Sequence, residues 1–500
     1  MGATDAEPTS IRTAALVFCV VLFATVLSAS RAPFWGDARL SLTAAASWIT
    51  TGAPTIDDVQ RNDVAVSFDG HRYSKYGLLL TLQCVPAALA MARPLSRTGA
   101  GLVVAFVPAL FGAVAALFVF LILRRRVAAR PAMLLTFCLY FGSPLWIYAR
   151  TYYGEAQQSC LMAALVWVWL RAQGASVSAR RVLVVGLLVG TAVLSKPTFG
   201  LLLPFVGVGL LFCDRDRAWR ARAIGWLAAG LAPGVLAFLW YNHLRYGAWF
   251  AMGYGGERDG TLGFSVPLWS GLYSLMFSSG KSVFLYAPLT LVSIFCARAM
   301  WQRARALTLA IMAPTGVWLL VAAAWWAWSG DWGWGPRLLV PIIPLFGMLA
   351  VAELGEGGRP KLVWTAGIVG VLVNTLGVLV HYAAYLALLA PFRKLLHTAG
   401  SAASMRDDLL FPHYVPELSP IIGHAWMLRS YFSASSLAES LPWRSHALND
   451  FIPPTAATEQ LDLAFASSAG GAVIVMLIII AIVAAAYALT ARRRSPPPSV

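Results

Sequence analysis

A chain of 500 residues in which 59% are hydrophobic and only 12% are charged is not an ordinary soluble protein, in which about a quarter of residues are charged. Apolar runs of roughly 18 or more residues recur from end to end, and each is long enough to cross a bilayer as a helix. These runs lack the period-two alternation of a membrane β-barrel. The sequence therefore predicts an all-α polytopic membrane protein.

The net charge of +16 raises the question of a nucleic-acid partner, but the distribution of the charge argues against one. Arginine clusters stand at the ends of apolar runs, as the positive-inside rule expects of membrane helices. We therefore predict the lipid bilayer, and no nucleic acid, as the surroundings of these charges. The clusters include Arg124-Arg125-Arg126, Arg180-Arg181 and Arg492-Arg493-Arg494.

The same rule predicts the topology. Residues 13–29 form an uncleaved first span, because Asp5 and Glu7 make the preceding segment a poor signal peptide. The apolar stretch 78–91 is short and contains Pro86, so it is interpreted as an interfacial helix lying on the membrane. About twelve transmembrane helices then place both termini in the cytoplasm and every basic cluster on one side of a cell (inner) membrane.

This topology divides the chain into three parts. Residues 1–354 form a transmembrane catalytic core that includes the first outer loop, 30–100. Residues 355–490 contribute C-terminal spans with an outer segment at 390–470, and 491–500 form a cytoplasmic tail. Ionisable residues gather at the outer ends of spans, which suits an enzyme at the membrane surface better than a carrier.

Asp37 lies just beyond the first span, after Phe34 and Trp35. A carboxylate partly screened from water by aromatic rings is expected to have a raised pKa and to act as a base. It is equally placed to cap a helix over 38–48. Position alone does not separate the two roles.

Two further groups combine charge with a position on the outer side. Arg72, Tyr73 and Lys75 suit a phosphate at headgroup level, although the same residue types also anchor chains at the interface. Glu155 opens a span close to Arg150. These two either pair with each other or supply a second acidic group and a phosphate ligand.

A glycine- and tryptophan-rich run at 329–337 precedes another span. Trp334 offers a flat face to a sugar, Arg337 suits a phosphate, and the glycines allow a backbone to approach a ligand. An aromatic belt at the interface is the alternative, favoured by Trp325, Trp326 and Trp328. Arg337 lies on the outer side, where the charge rule disfavours it, so we predict a functional role for it.

Taken in order over residues 12–354, these motifs resemble the GT-C glycosyltransferases. The branch is the one containing protein O-mannosyltransferases and lipid A aminoarabinose transferases. The motifs are Asp37, Tyr73-Ser74-Lys75-Tyr76-Gly77, Glu155, Ser195-Lys196-Pro197-Thr198, Trp240-Tyr241-Asn242, Tyr286-Ala287-Pro288 and Trp334-Gly335-Pro336-Arg337.

The resemblance implies an inverting transferase that takes a monosaccharide from a polyprenyl phosphate on the outer face. Asp37 then serves as the base, Glu155 matches a second acidic position, and Lys75 and Arg337 hold the donor phosphate. Lys196 joins the predicted substrate-binding residues through its motif. Many relatives show an acidic pair in the first loop, whereas Ala38 follows Asp37 here, so the metal is unknown and a divalent cation is left open.

Two alternatives remain: a lipid or sugar carrier of the flippase type, and a polysaccharide polymerase or ligase with the same outer face. Grouping of Lys75 and Arg337 in one cavity near Asp37 would favour the transferase. The acceptor is a glycan, a lipid or a protein. The segment 390–470, with Arg406, His413, Glu417 and His424, either covers the site and selects the acceptor or is a solvated loop.

Overall fold

The computed structural model describes residues 11–59, 66–93, 96–172, 178–211, 216–253, 263–355, 357–389, 411–433, 461–466 and 468–491. Within these ranges the chain is helical, and its strand-like pairings are the isolated bridges Thr55–Tyr73 and Val66–Arg72. Arg406 lies outside the described residues.

The α-helices are α1 Ile11–Leu27, α2 Asp37–Thr51, α3 Leu78–Ala92, α4 Arg97–Leu123, α5 Ala129–Phe141, α6 Leu145–Tyr148, α7 Glu155–Arg171, α8 Ala179–Ser195, α9 Leu203–Leu211, α10 Arg217–Tyr246, α11 Leu268–Phe277, α12 Val283–Tyr286, α13 Leu289–Arg303, α14 Arg305–Ala324, α15 Ile343–Gly347, α16 Pro360–Leu379, α17 Phe411–Tyr414, α18 Pro420–Ser433 and α19 Ala469–Ala491. Segments Pro197–Leu202, Arg337–Leu339, Met348–Leu354 and Pro416–Leu418 are 3-10 helices.

Among the described helices, five are long and apolar enough to cross a membrane. Shorter apolar helices, α1 and α3 among them, accompany these spans. The prediction of an all-α polytopic membrane protein is confirmed; the count of about twelve spans stays a prediction. The five are Thr98–Leu123, Arg217–Tyr246, Arg305–Ala324, Pro360–Leu379 and Gly470–Leu489.

The segment 338–354, expected as one continuous span, differs from that expectation. It consists of the short helix α15 between 3-10 turns. Pro341 and Pro344 remove backbone donors and clash with the preceding turn, which prevents a regular α-helix. The segment lies in the middle of the bundle, where Leu349 and Ala350 are fully buried.

Helices α8 and α10 pack unusually closely. A Cβ atom at Gly234 would lie 2.3 Å from the backbone of Gly190, and one at Gly230 would lie 2.2 Å from the carbonyl oxygen of Leu183. Such small-residue contacts let two membrane helices approach backbone to backbone. The approach fixes the two ends that carry Lys196 and Arg245.

The described part of loop 30–100, which the sequence predicts to be the first outer loop, contains the two helices α2 and α3. Helix α3 forms as predicted, and its Cys84 and Ala87 are completely buried, packed together with Ala38 and Ala45 of α2. Helix α2 begins at Asp37, after Gly36 in the left-handed region at φ 55°. The packing of α2 against α3 therefore fixes the position of Asp37 at the start of α2.

Candidate active site

The site is organised around Arg337, at the start of the 3-10 turn that precedes the irregular segment. Its Nε donates to Oε1 of Glu155 at 2.8 Å, and its Nη2 donates to Oδ2 of Asp37 at 2.7 Å. The guanidinium also lies 4.3 Å from the ring centre of Tyr153. Residues from three distant parts of the sequence thus converge on one cation, whose side chain is 11% exposed.

Asp37 does not cap its helix. It is the first residue of α2, no side chain caps that helix, and its carboxylate is engaged by Arg337. Burial raises the pKa of Asp37, but the charge of Arg337 and a hydrogen bond from Tyr76 outweigh burial and lower the pKa below its ordinary value. The predicted raised pKa is therefore wrong, because the sequence did not reveal the cationic partner.

Asp331 is a second acidic group beside Asp37 that the predicted site residues left out. Burial and the nearby charge of Asp37 raise its pKa. Its backbone is in the left-handed region at φ 52°, the one such non-glycine residue in the part of the chain described. Left-handed backbone is strained for a side chain and clusters at functional sites.

Lys281 holds this turn in place. Its Nζ is completely buried and donates to the carbonyl oxygens of Asp331 at 2.9 Å and Gly333 at 2.6 Å. Burial lowers its pKa to about 7. In the sequence Lys281 is an isolated lysine just before a predicted span. It was not among the predicted site residues.

Two cavities meet at this cluster. Cavity A has a volume of about 490 Å³, with largely aromatic and aliphatic walls and cations at Lys75, Lys196 and Arg245. Cavity B has a volume of about 590 Å³ and includes Trp35, Arg39, Asp58 and Trp332 in its lining. The residues that line both are Asp37, Tyr153, Asp331 and Arg337.

Lys75 reaches cavity A because the loop before α3 is tied to two helices. A Cβ at Gly77 would lie 2.1 Å from the carbonyl oxygen of Leu194, so only glycine allows this approach to the end of α8. Arg245, another residue that the prediction missed, donates to the carbonyl oxygens of Ser74 and Tyr76 from the end of α10.

Lys196 follows α8 and lies over the ring of Trp318, 5.6 Å from its centre. Burial lowers its pKa to about 8, while the charge of Glu155 acts in the opposite direction. Together with Lys75 and Arg337, it is one of three predicted substrate-binding residues that line cavity A.

The structure places four other predicted substrate-binding residues elsewhere. Tyr73 donates to Asp69 at 2.6 Å, and the backbone of Arg72 donates to Asp57, so both belong to the turn of the outer loop. Neither Arg72 nor Tyr73 lines either cavity.

Arg150 and Trp334 are packed inside the protein. Arg150 pairs with Asp462 at 3.3 Å rather than with Glu155, and also donates to the carbonyl oxygen of Ser28. Trp334 is 1% exposed, and its Nε1 donates to Asn374 at 3.1 Å. The predicted phosphate and sugar contacts of these two residues find no support in this placement.

The glycines of the 329–337 run make room for protein rather than for a ligand. A Cβ at Gly333 would lie 2.9 Å from Cδ of Arg337 and 2.5 Å from Oη of Tyr148. The glycines therefore let the backbone of the run pack closely around the side chain of Arg337. This close packing requires the tight turn before the irregular segment.

The described part of the segment predicted to lie outside is largely packed against the bundle, although residues 414–417 are exposed. His424 on α18 is completely buried, with its ring 4.4 Å from that of Trp334. The backbone oxygen of His413 accepts from Gly280 and Ser279. Glu417 lies in the intervening 3-10 turn. His424 therefore packs against the run that carries Arg337, Glu417 is exposed, and none of the three residues lines either cavity.

Comparison with known proteins finds a family match over part of the chain. Residues 88–241 match the family model of dolichyl-phosphate-mannose-protein mannosyltransferase. This match confirms the predicted resemblance to the protein O-mannosyltransferases over these residues. The matched segment runs from α3 to α10 and carries Glu155 and Lys196. No curated protein sequence matches the chain.

Two solved structures are similar to the chain. One is ArnT from Cupriavidus metallidurans bound to undecaprenyl phosphate, at 15% identity and a TM-score of 0.47, over 94% of this chain and 87% of that one. The other is the archaeal oligosaccharyltransferase AglB from Archaeoglobus fulgidus in complex with an inhibitory peptide and a dolichol-phosphate. It shares 12% identity at a TM-score of 0.45, over 86% of this chain and 58% of that one.

Proposed function

We propose that this protein is an inverting glycosyltransferase that moves a monosaccharide from a polyprenyl phosphate to a hydroxyl acceptor. The observation that carries the proposal is the position of Asp37 and Arg337, which line both cavity A and cavity B. A transferase needs such a junction, because donor and acceptor must approach the anomeric carbon from opposite sides. The family match over residues 88–241 supports the same reaction class.

Cavity A suits the donor. Its walls include Leu80, Phe238 and Phe264, which can take an apolar prenyl chain. Lys75 and Arg337 lie where a phosphate would carry its negative charge. Cavity B, with Arg39 and Asp58, offers the acceptor a polar entrance.

In the proposed reaction the acceptor oxygen forms a bond to the anomeric carbon as the bond from that carbon to the phosphate oxygen breaks. Asp37 is ionised because Arg337 and Tyr76 lower its pKa, and it accepts the proton of the acceptor hydroxyl. Lys75 and Arg337 stabilise the departing polyprenyl phosphate. Glu155 holds Arg337 in place through its 2.8 Å ion pair.

The outer face of a cell (inner) membrane is the proposed location, with both termini in the cytoplasm. The support is the charge rule, which puts the arginine clusters inside and the loop carrying Asp37 outside. Among the described residues, no three Cys, His, Asp or Glu side chains are grouped to hold a metal ion. The divalent cation stays an open prediction.

The grouping of Lys75 and Arg337 with Asp37 favours a transferase over a carrier. Both cations line cavity A together with Asp37, which is the arrangement expected of a transferase. The acceptor remains a glycan, a lipid or a protein.

The test uses the purified full-length protein in lipid nanodiscs with undecaprenyl phosphates that carry radiolabelled hexoses or pentoses, plus a membrane extract as the acceptor source. We expect release of undecaprenyl phosphate together with a glycoside of inverted anomeric configuration. Movement of the intact lipid-linked sugar between the leaflets of a liposome, with no bond broken for any donor, would instead identify a carrier.

A further inference from the structure

Cavity A contains buried polar atoms that the protein leaves without a hydrogen-bond partner. They are Oη of Tyr152, Oε2 of Glu155, Oγ of Ser195, Oγ1 of Thr198 and Nε1 of Trp326. Ser195 is 3% exposed and Glu155 is 5% exposed. Since about nine in ten buried polar atoms in proteins are paired, several unpaired atoms in one cavity indicate a polar ligand.

Three of these atoms belong to one wall next to Arg337. Ser195 ends α8, and Thr198 lies in the 3-10 turn that follows it. Phe199 of that turn packs against Trp318 with ring centres 4.6 Å apart, and Nε1 of Trp318 donates to the carbonyl oxygen of Leu338 at 2.8 Å. The turn is thereby fixed beside Arg337, whose Nε binds the other oxygen of Glu155.

The hydrogen-bonding types of these atoms define the ligand. The Oε2 atom of Glu155 only accepts when it is ionised, the indole nitrogen of Trp326 only donates, and the three hydroxyls do both. A prenyl chain would satisfy none of them. A phosphate can accept but not donate, so it would leave Oε2 of Glu155 unpaired and be repelled by it. Sugar hydroxyls donate and accept, and they satisfy the whole set.

We propose that Glu155, Ser195 and Thr198 bind the hydroxyl groups of the donor's sugar ring, at the end of cavity A next to Arg337. This inference rests on the proposed function, since it assumes that cavity A takes the lipid-linked donor. In this proposal Ser195 and Thr198 recognise the sugar. Lys75 and Arg337 hold the phosphate.

The test measures binding to the full-length protein in nanodiscs through tryptophan fluorescence, because Trp318, Trp325 and Trp326 line cavity A. The probes are undecaprenyl phosphate alone and the same lipid phosphate carrying mannose, glucose or galactose. We expect at least one sugar-bearing lipid to bind more tightly than undecaprenyl phosphate. Ser195→Ala and Thr198→Val should each weaken binding of that lipid about three- to tenfold and leave binding of undecaprenyl phosphate unchanged.

Matched controls come from the protein itself. The hydroxyls of Ser278 and Thr315 are also buried without a partner, but neither residue lines either cavity. Ser278→Ala and Thr315→Val should therefore leave both affinities unchanged. An equal loss in these controls would overturn the proposal, because the effect would then come from general destabilisation.

The failures of the two proposals are distinguishable. A wild-type protein that does not bind undecaprenyl phosphate contradicts the proposed function itself. If the wild-type protein binds undecaprenyl phosphate and none of the three sugars increases the affinity, only the proposed sugar site is overturned. Retention of the sugar preference by both Ser195→Ala and Thr198→Val overturns it as well.

Discussion

Two arginines of this protein, Arg337 and Arg150, are each paired with a carboxylate, yet they occupy different environments. Arg337 lies between Asp37 and Glu155 and lines both cavities. Arg150 is paired with Asp462, is 2% exposed and lines neither cavity. The sequence predicted a phosphate ligand at both positions.

The difference shows how an ion pair can serve either stability or function. Arg150 also donates to the backbone oxygens of Ser28 and Asp462, so it joins the residue after α1 to the segment before α19. Removing one partner of such a pair leaves an uncompensated buried charge. Arg337 has two carboxylates beside open space, where a substrate can share its charge.

The largest expected effect separates the two carboxylates Asp37 and Asp462. Asp37→Asn keeps the shape of the side chain but removes the proton acceptor, so sugar transfer should fall about 10²–10⁴-fold. Asp462→Asn should destabilise the protein by about 3–5 kcal/mol, because the charge of Arg150 loses its partner. Transfer assays normalised to folded protein, together with thermal melts in detergent, measure both effects.

Near-normal transfer by Asp37→Asn would remove Asp37 from the proposed mechanism. A comparable loss of specific activity in Asp462→Asn would show that the Arg150 pair also affects the chemistry, and the distinction between the two arginines would fail.

The next effect concerns the arginines themselves. Lysine in place of Arg337 cannot bind Asp37 and Glu155 through two fixed nitrogens, so Arg337→Lys should reduce transfer about 10²-fold. Arg150→Lys should mainly lower the melting temperature, with the specific activity of folded protein retained. Equal behaviour of the two variants in both assays would contradict the comparison.

A smaller effect distinguishes two cations of the first outer loop. Lys75 lines cavity A whereas Arg72 does not, so Lys75→Ala should raise the apparent KM for the lipid-linked donor about tenfold. Arg72→Ala serves as the matched control and should stay within about twofold of wild type. Steady-state kinetics with varied donor concentration measure this, and a larger defect in Arg72→Ala would reverse the assignment.

The smallest effect is an absence of pH dependence. Arg337 and Tyr76 lower the pKa of Asp37 below its ordinary value, so this base stays ionised as the pH falls from about 7 to about 5. We expect no loss of kcat/KM through Asp37 in that range. The opposite result would be a fall of kcat/KM in that pH range whose midpoint shifts in Asp37→Glu. It would show that the pKa of Asp37 is raised, as the sequence predicted.

Much of the local structure could be predicted from the sequence. The helices that begin at Glu155 and Leu78 were placed correctly, since long apolar runs with polar residues at their ends leave few alternatives in a membrane. Of the predicted site residues, Asp37, Glu155, Lys75, Lys196 and Arg337 line cavity A. Lys281 and Asp331 were missed, because their significance depends on a turn whose shape no local pattern specifies.

By itself the sequence determined that this is a helical membrane protein with its chemically useful charges at the ends of spans, because the cost of burying charge in lipid constrains every segment separately. Only the tertiary structure decided which charges meet. Arg150 is close to Glu155 in sequence but pairs with Asp462, whereas Arg337 binds Asp37 across 300 residues. Ion pairs depend on distance in space, and in this protein helix packing sets that distance.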